Sequence, residues 1–202
     1  MSRPELLLAE RAAPHRSART TLRIQTAAVH EALHVAAPFA AIADRQATID
    51  SYASLLLALH AFHTSMAEVV ARACEELELA DLHRACERRR SALAADLATA
   101  GIARPADAPA VAVTDAGWAV GCLYTLVGST LGGKLIYRQL DYLLAGPAGR
   151  EFFAGAADDG EQWRTFCLRL ELFAAEQHSL TPTVQGAHFA FEHFASCLDN
   201  RP

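Results

Sequence analysis

Two kinds of residue in this 202-residue chain have the types and spacing to do chemistry: histidines and a cluster of helix glycines. Nine histidines are many for the length, and imidazole can ligate metal or move protons. His30 stands out. Leu22, Thr26, Val29, His30, Leu33 and Ala37 recur at threes and fours, which places them on one helix face. The pattern predicts a first long helix from Thr20, with His30 on its apolar side and Pro38 closing it. Arg23, about two turns before His30, projects from a similar face and offers a cation to an acidic ligand group. Glu31 and His34 form an ExxH spacing of the kind found in carboxylate di-iron bundles. Such sites need a second ExxH and two further carboxylates, and the chain has no second ExxH. His60 and His63 are three apart, and a satisfied core pair is the simpler reading. His188 and His193, five apart, do not share a face.

The second feature is LYTLVGSTLGGKLIYR, residues 123 to 138, which reads as a helix with Gly128, Gly132 and Gly133 in its middle. Glycine in a helix interior costs roughly 1 kcal/mol against alanine. Its use implies that a ligand or another backbone comes too close for a Cβ. Gly128 and Gly132 are four apart and share a face. Tight helix packing would explain the same spacing. Cys122 and Ser129 lie nearby without the Gly-x-Ser-x-Gly elbow of a nucleophile, and Gly-Gly-Lys lacks the spacing of a phosphate loop.

The elements that must position these residues are helices. The chain is apolar, rich in alanine and leucine, and lacks runs of alternating β-branched residues. A long helix is expected from a Thr48 cap to about Leu79, and a third from Asp81 to about Ala98 with Arg84, Arg88, Arg89 and Arg90 facing mostly outward. The proline-bearing stretch 101–109 connects to the glycine helix, about Thr114 to Leu144. A short turn at Glu151 to Ala154 and two more helices follow, the last opening at Thr181-Pro182. The expected architecture is all-α: one bundle of six or seven helices over residues 19–202, preceded by a flexible arm at 1–18. A net charge of −5 argues against a nucleic-acid binder. Five scattered cysteines without CxxC suggest neither a disulfide framework nor a zinc site. The Leu6-Leu7-Leu8 run, flanked by Glu5 and Glu10, is too short for a signal or a membrane span, so a cytoplasmic location is expected.

One helix thus offers an imidazole and another a backbone thinned of side chains. A flat apolar ligand carrying a metal would fit between them, and haem is such a ligand. At these residues the sequence resembles the heme oxygenase family. LRIQTAAVHEAL, residues 22 to 33, resembles its first helix, which implies His30 as proximal iron ligand with Thr26 one turn before it. LYTLVGSTLGG, residues 123 to 133, resembles its distal helix. GREFFAGAADDGEQWRTF, residues 149 to 166, with Trp163, and the later GAHFAFEHF resemble the bacteriophytochrome-associated subgroup. The resemblance implies that haem is substrate and cofactor, opened with O2 and electrons from a ferredoxin or reductase to biliverdin, carbon monoxide and ferrous iron. It implies that biliverdin serves a bacteriophytochrome, and that Gly128, Ser129, Gly132 and Gly133 shape the distal face. Ser129 stands where mammalian members carry aspartate, so proton delivery must be built from water, backbone and this hydroxyl. Arg23 and Tyr124, then Lys134 and Arg138, are expected at the pocket rim for the propionates. Two other readings compete: a haem binder without turnover, and a thiamin-degrading hydrolase of a related helical fold with Cys122 as nucleophile.

Overall fold

The computed structural model describes residues 17–103 and 105–199, and all regular structure among them is helical. Among the described residues ten α-helices run in order, where six or seven were expected: α1 Ala18–Gln25, α2 Ala27–His34, α3 Ala37–Ala43, α4 Ile49–Ser65, α5 Ala67–Glu76, α6 Ala80–Thr99, α7 Ala116–Gln139, α8 Glu151–Ala154, α9 Asp159–Glu176 and α10 Thr181–Asp199. A 3-10 turn, Leu140–Tyr142, extends α7. Ser17 caps α1 by accepting from the Thr20 amide, so the helix begins just inside the stretch expected as an arm; residues 1–16 lie outside the described residues.

Two of the long helices expected from periodicity are broken, and hydroxyls sit at both breaks. The first splits at Thr26, whose side chain donates to the Leu22 carbonyl at 2.9 Å. Pro38 does not close this helix; it occupies the first turn of α3, where its missing N–H costs nothing. The second splits at Met66, where α4 and α5 diverge by 50°. There Thr64 donates to His60 O at 2.8 Å and Ser65 to Phe62 O at 3.0 Å. A Ser or Thr hydroxyl that bonds back to a carbonyl of the preceding turn weakens and bends a helix. The periodicity continues across the breaks because the apolar residues continue. Thr48 and Ser51 form a capping box at the start of α4.

α7 is the centre of the bundle. It packs most extensively on α10 and also touches α3, α5, α8 and α9. Together with its 3-10 extension it is long and apolar enough to span a membrane, yet half of that stretch is buried inside the bundle. Two glycines absent from the sequence expectations make the α7–α10 crossing. A Cβ on Gly121 would lie 2.7 Å from the Thr183 carbonyl carbon and 2.9 Å from Ala187 N. A Cβ on Gly186 would lie 2.7 Å from the Trp118 carbonyl carbon. Each helix therefore rests on the other's bare backbone. Cys122 Sγ donates to Gly186 O at 3.2 Å and Thr125 Oγ1 to Ala187 O at 3.1 Å, which locks the register.

One expected outward residue turns inward. Arg84 and Arg88 are exposed and pair with Asp81 and Asp158, but the Arg89 guanidinium lies 4.6 Å over the Phe152 ring with Nη1 buried and unpartnered. Burial pushes its pKa down, and nearby Asp159 opposes this. Behind it, Asp96 is fully buried and accepts from the Glu151 and Phe152 amides at 2.8 Å, pinning α8 to α6.

Gly121→Ala or Gly186→Ala forces two backbones apart. Each should destabilise the fold by about 1–3 kcal/mol or more in chemical denaturation. Gly160→Ala, on α9 with open space around it, should be neutral or stabilising by up to ~1 kcal/mol. Equal effects at all three positions would contradict the crossing.

Candidate functional site

α1 and α2 lean on α9 and α10, and α7 packs against the same two helices. The first two helices and α7 thus share α9 and α10 as a common support, and the space between them is taken as the candidate cleft. His30 projects at this side. Contrary to the sequence expectation, it is not on a core face: none of the α2 residues is fully buried, and His30 is exposed. Its ring lies edge-on to Phe191 of α10 at 5.8 Å and to His34 at 4.5 Å. Neither ring nitrogen hydrogen-bonds to a described residue. Partial burial, then the neighbouring His34, lower its pKa below 6.5, while Glu31 opposes them. The imidazole is therefore mainly neutral at pH 7, with a lone pair available to a metal. Thr26 is buried behind it, and its carbonyl accepts from the His30 amide at 3.0 Å. Thr26 positions the histidine rather than reaching into the cleft.

On α7 the three central glycines do three different things. Gly132 is exposed, and a Cβ there would meet nothing within 4 Å. It is flanked by Leu131 and Leu135, 53% and 54% exposed, so bare backbone lies within uncovered apolar surface. Gly128, one turn earlier on the same face, is covered: its Cβ would sit 3.7 Å from two carbons of the Trp163 indole. Gly133 is buried and turned toward α8, where a Cβ would come 3.2 Å from Phe153 O. Its small size serves helix packing. Ser129 is exposed, and its hydroxyl donates to Leu126 O at 2.7 Å. That proton is committed to the helix backbone, while the oxygen can still accept.

The expected rim residues divide. Arg23 is near enough to Tyr124 to act on its charge: burial raises the Tyr124 pKa, and Arg19, then Arg23, pull it down. Arg19 was missed in the sequence. Its guanidinium lies 5.8 Å over the Trp163 ring, and Tyr124 meets the same indole at 5.8 Å. Spacing from Arg23 by one helical turn was the available signal. Lys134 lies elsewhere, with its Cε 3.7 Å from where a Gly155 Cβ would sit. Arg138 lines a shallow groove with Ala43, Arg45, Gln139, Asp141 and Tyr142. Neither is shown beside the Arg19–Arg23–Tyr124 group.

The competing chemistries find no support. Among the described residues no three His, Cys, Asp or Glu side chains converge on a bare metal position, which leaves Glu31, His34, His60 and His63 without a di-metal site. Cys122 is fully buried, its thiol bonded to Gly186 O and its pKa driven up by burial, so it is no accessible nucleophile. What remains is an open imidazole, a bare stretch of backbone, apolar side chains and two cations. These fit a planar apolar ring bearing a metal and acidic substituents.

The heme oxygenase family model matches residues 16–200. A heme oxygenase of Xanthomonas campestris pv. campestris (strain 8004) is 36% identical over 115 residues, 55% of this chain and 67% of that protein. The NO- and CO-bound heme oxygenase structures from Neisseria meningitidis share the fold, with TM-score 0.65, 24% identity and 90% of each chain covered.

The ring of His30 should titrate by proton NMR with a midpoint below 6.5, and His34→Ala should move that midpoint upward by removing a like charge. A midpoint at or above 6.5 would contradict the described environment.

Proposed function

We propose that this chain, which belongs to the heme oxygenase family, opens haem in the cleft between α1–α2 and α7, with His30 as the proximal iron ligand. The observation that carries the assignment is the imidazole of His30: exposed, mainly neutral at pH 7, and held edge-on by Phe191 with no hydrogen-bonding partner among the described residues. Bound haem supplies the redox-active iron and is itself the substrate. A neutral nitrogen ligand suits O2 activation, whereas a thiolate would favour O–O cleavage.

The chain's own residues then have distinct tasks. His30 would hold the haem iron through its imidazole, and Thr26 holds His30 in place. The open backbone at Gly132 would leave room for O2 and ordered water, where a side chain would crowd a bound ring. Leu131 and Leu135 exclude bulk water from the ring edge. Ser129 can accept a hydrogen bond from water while its own proton stays on Leu126 O; it orients water rather than donating a proton. Arg19, Arg23 and Tyr124 hold the propionates at one end, through charge-assisted hydrogen bonds. Gly128 and Gly133 act through packing, and Lys134 and Arg138 are secondary rim cations. Electrons come from a ferredoxin or reductase, the products are biliverdin, carbon monoxide and ferrous iron, and the setting is the cytoplasm. Resemblance of residues 149 to 166 to bacteriophytochrome-associated members supports a bilin-supplying role.

The test is turnover of hemin by the protein with O2, a reductant and catalase, with biliverdin and carbon monoxide quantified. Wild type should form a stoichiometric complex and convert it. His30→Ala should lose at least about tenfold in turnover, the scale of removing one ligand or its support. Gly132→Leu should block the open face and lower turnover comparably. A stable complex that never yields bilin would overturn the assignment of turnover, and full activity in His30→Ala would remove His30 from the site.

A further inference from the structure

We propose that Trp163 is a specificity-determining residue: its indole walls off the Gly128 end of the cleft, sets how the haem ring sits in its own plane, and thereby selects the meso carbon that is oxidised. This rests on the haem-opening assignment above and deepens it. Gly128 and Gly132 share one face of α7, about 6 Å apart along the axis. They are alike in sequence but not in surroundings. The space over Gly132 is open, and the space over Gly128 is filled by the six-membered ring of Trp163 at ordinary contact distance. A planar ligand lying along this face can use the Gly132 end only.

The indole is also held in place. It stacks on fully buried Phe166 at 5.7 Å and 25°, meets Tyr124 at 5.8 Å, and carries the Arg19 guanidinium over it at 5.8 Å. Arg19 is fixed in turn, since its backbone amide donates to Glu171 Oε1 at 3.0 Å and the Ala18 amide to Oε2 at 2.8 Å. Moving the indole would disturb α1, α7 and α9 together. The Arg19 cation lies at that same end, and Arg23 follows it one turn later on α1. Acidic substituents are drawn to that end, and the indole limits how far the ring follows them. A steric stop and a charge anchor at one end fix rotation in the plane, which neither does alone.

The experiment compares wild type with Trp163→Phe, Trp163→Leu and Trp163→Ala, each loaded with hemin. Proton NMR of the cyanide-bound ferric complex reads the in-plane orientation from the haem-methyl shifts without turnover. Chromatography of the bilin product reads the isomers. Wild type should show one dominant orientation and one dominant isomer, and Trp163→Phe should stay close to it. Trp163→Leu and Trp163→Ala should show a second orientation and a second isomer, each rising severalfold together. Adding Gly128→Leu to Trp163→Ala refills the space from the other helix and should restore the single orientation, a rescue that general destabilisation would not give. Unchanged methyl shifts and isomer ratio in Trp163→Leu, folded by circular dichroism, would overturn the proposal while leaving the haem-opening assignment intact. Absence of any wild-type hemin complex would overturn both.

Discussion

The α7–α10 crossing is the constraint on which the rest of the structure depends. Gly121 and Gly186 each face the other helix's backbone at distances that no Cβ tolerates. Close contact of two helices over bare backbone allows little sliding, and the Cys122 and Thr125 hydrogen bonds to α10 carbonyls remove what is left. Once α10 is fixed on α7, Phe191 is fixed too, and with it the surface against which His30 stands. Across the bundle the first two helices pack chiefly on α9 and α10. The spacing of the first two helices from α7 is therefore set at second hand, through α9 and α10.

Against this rigid frame the site is built from departures from good folding practice. An exposed histidine with no hydrogen-bonding partner among the described residues, leucines at 53% and 54% exposure and an uncovered glycine contribute little to stability. Each makes sense as surface waiting for an apolar partner, since large exposed apolar patches mark binding grooves. The break at Thr26 belongs to the same pattern. An unbroken helix would carry α2 onward along the line of α1. The hydroxyl bond to Leu22 O ends α1 there, and α2 starts again with His30 exposed.

Much of this was legible in the sequence because it is local. The all-helical class, the Thr48 cap, the break in helix between α6 and α7 and the glycine run at 128–133 each follow from neighbours within a few residues; the helix number does not, since six or seven were expected and ten are described. His30 was legible as a residue but not in its setting: apolar spacing placed it on a core face, whereas the break at Thr26 leaves it exposed. Helix breaks at Thr26 and Met66 were hidden because a hydroxyl turned back onto its own helix looks like any threonine or serine in a periodic pattern. Gly121 and Gly186 were hidden because their partners lie on a distant helix. Arg89 was lost among four neighbouring arginines, of which Arg84 and Arg88 are exposed. Arg19 lies one turn before Arg23, but its contact with Trp163 comes from α9, far along the chain. The glycine run was read as one feature, yet its members face Trp163, open space and α8. Sequence shows where side chains are missing, and only packing shows what takes their place.

The central claim is that a haem lies with His30 on one face and the bare backbone of Gly132 on the other. A crystal structure of the hemin complex tests it most directly. The account predicts His30 as the axial ligand, no side chain between the ring and Gly132, and the propionates beside Arg19 and Arg23. Iron ligated by the neighbouring His34, or a ring lying outside the α1–α2 and α7 cleft, would contradict it.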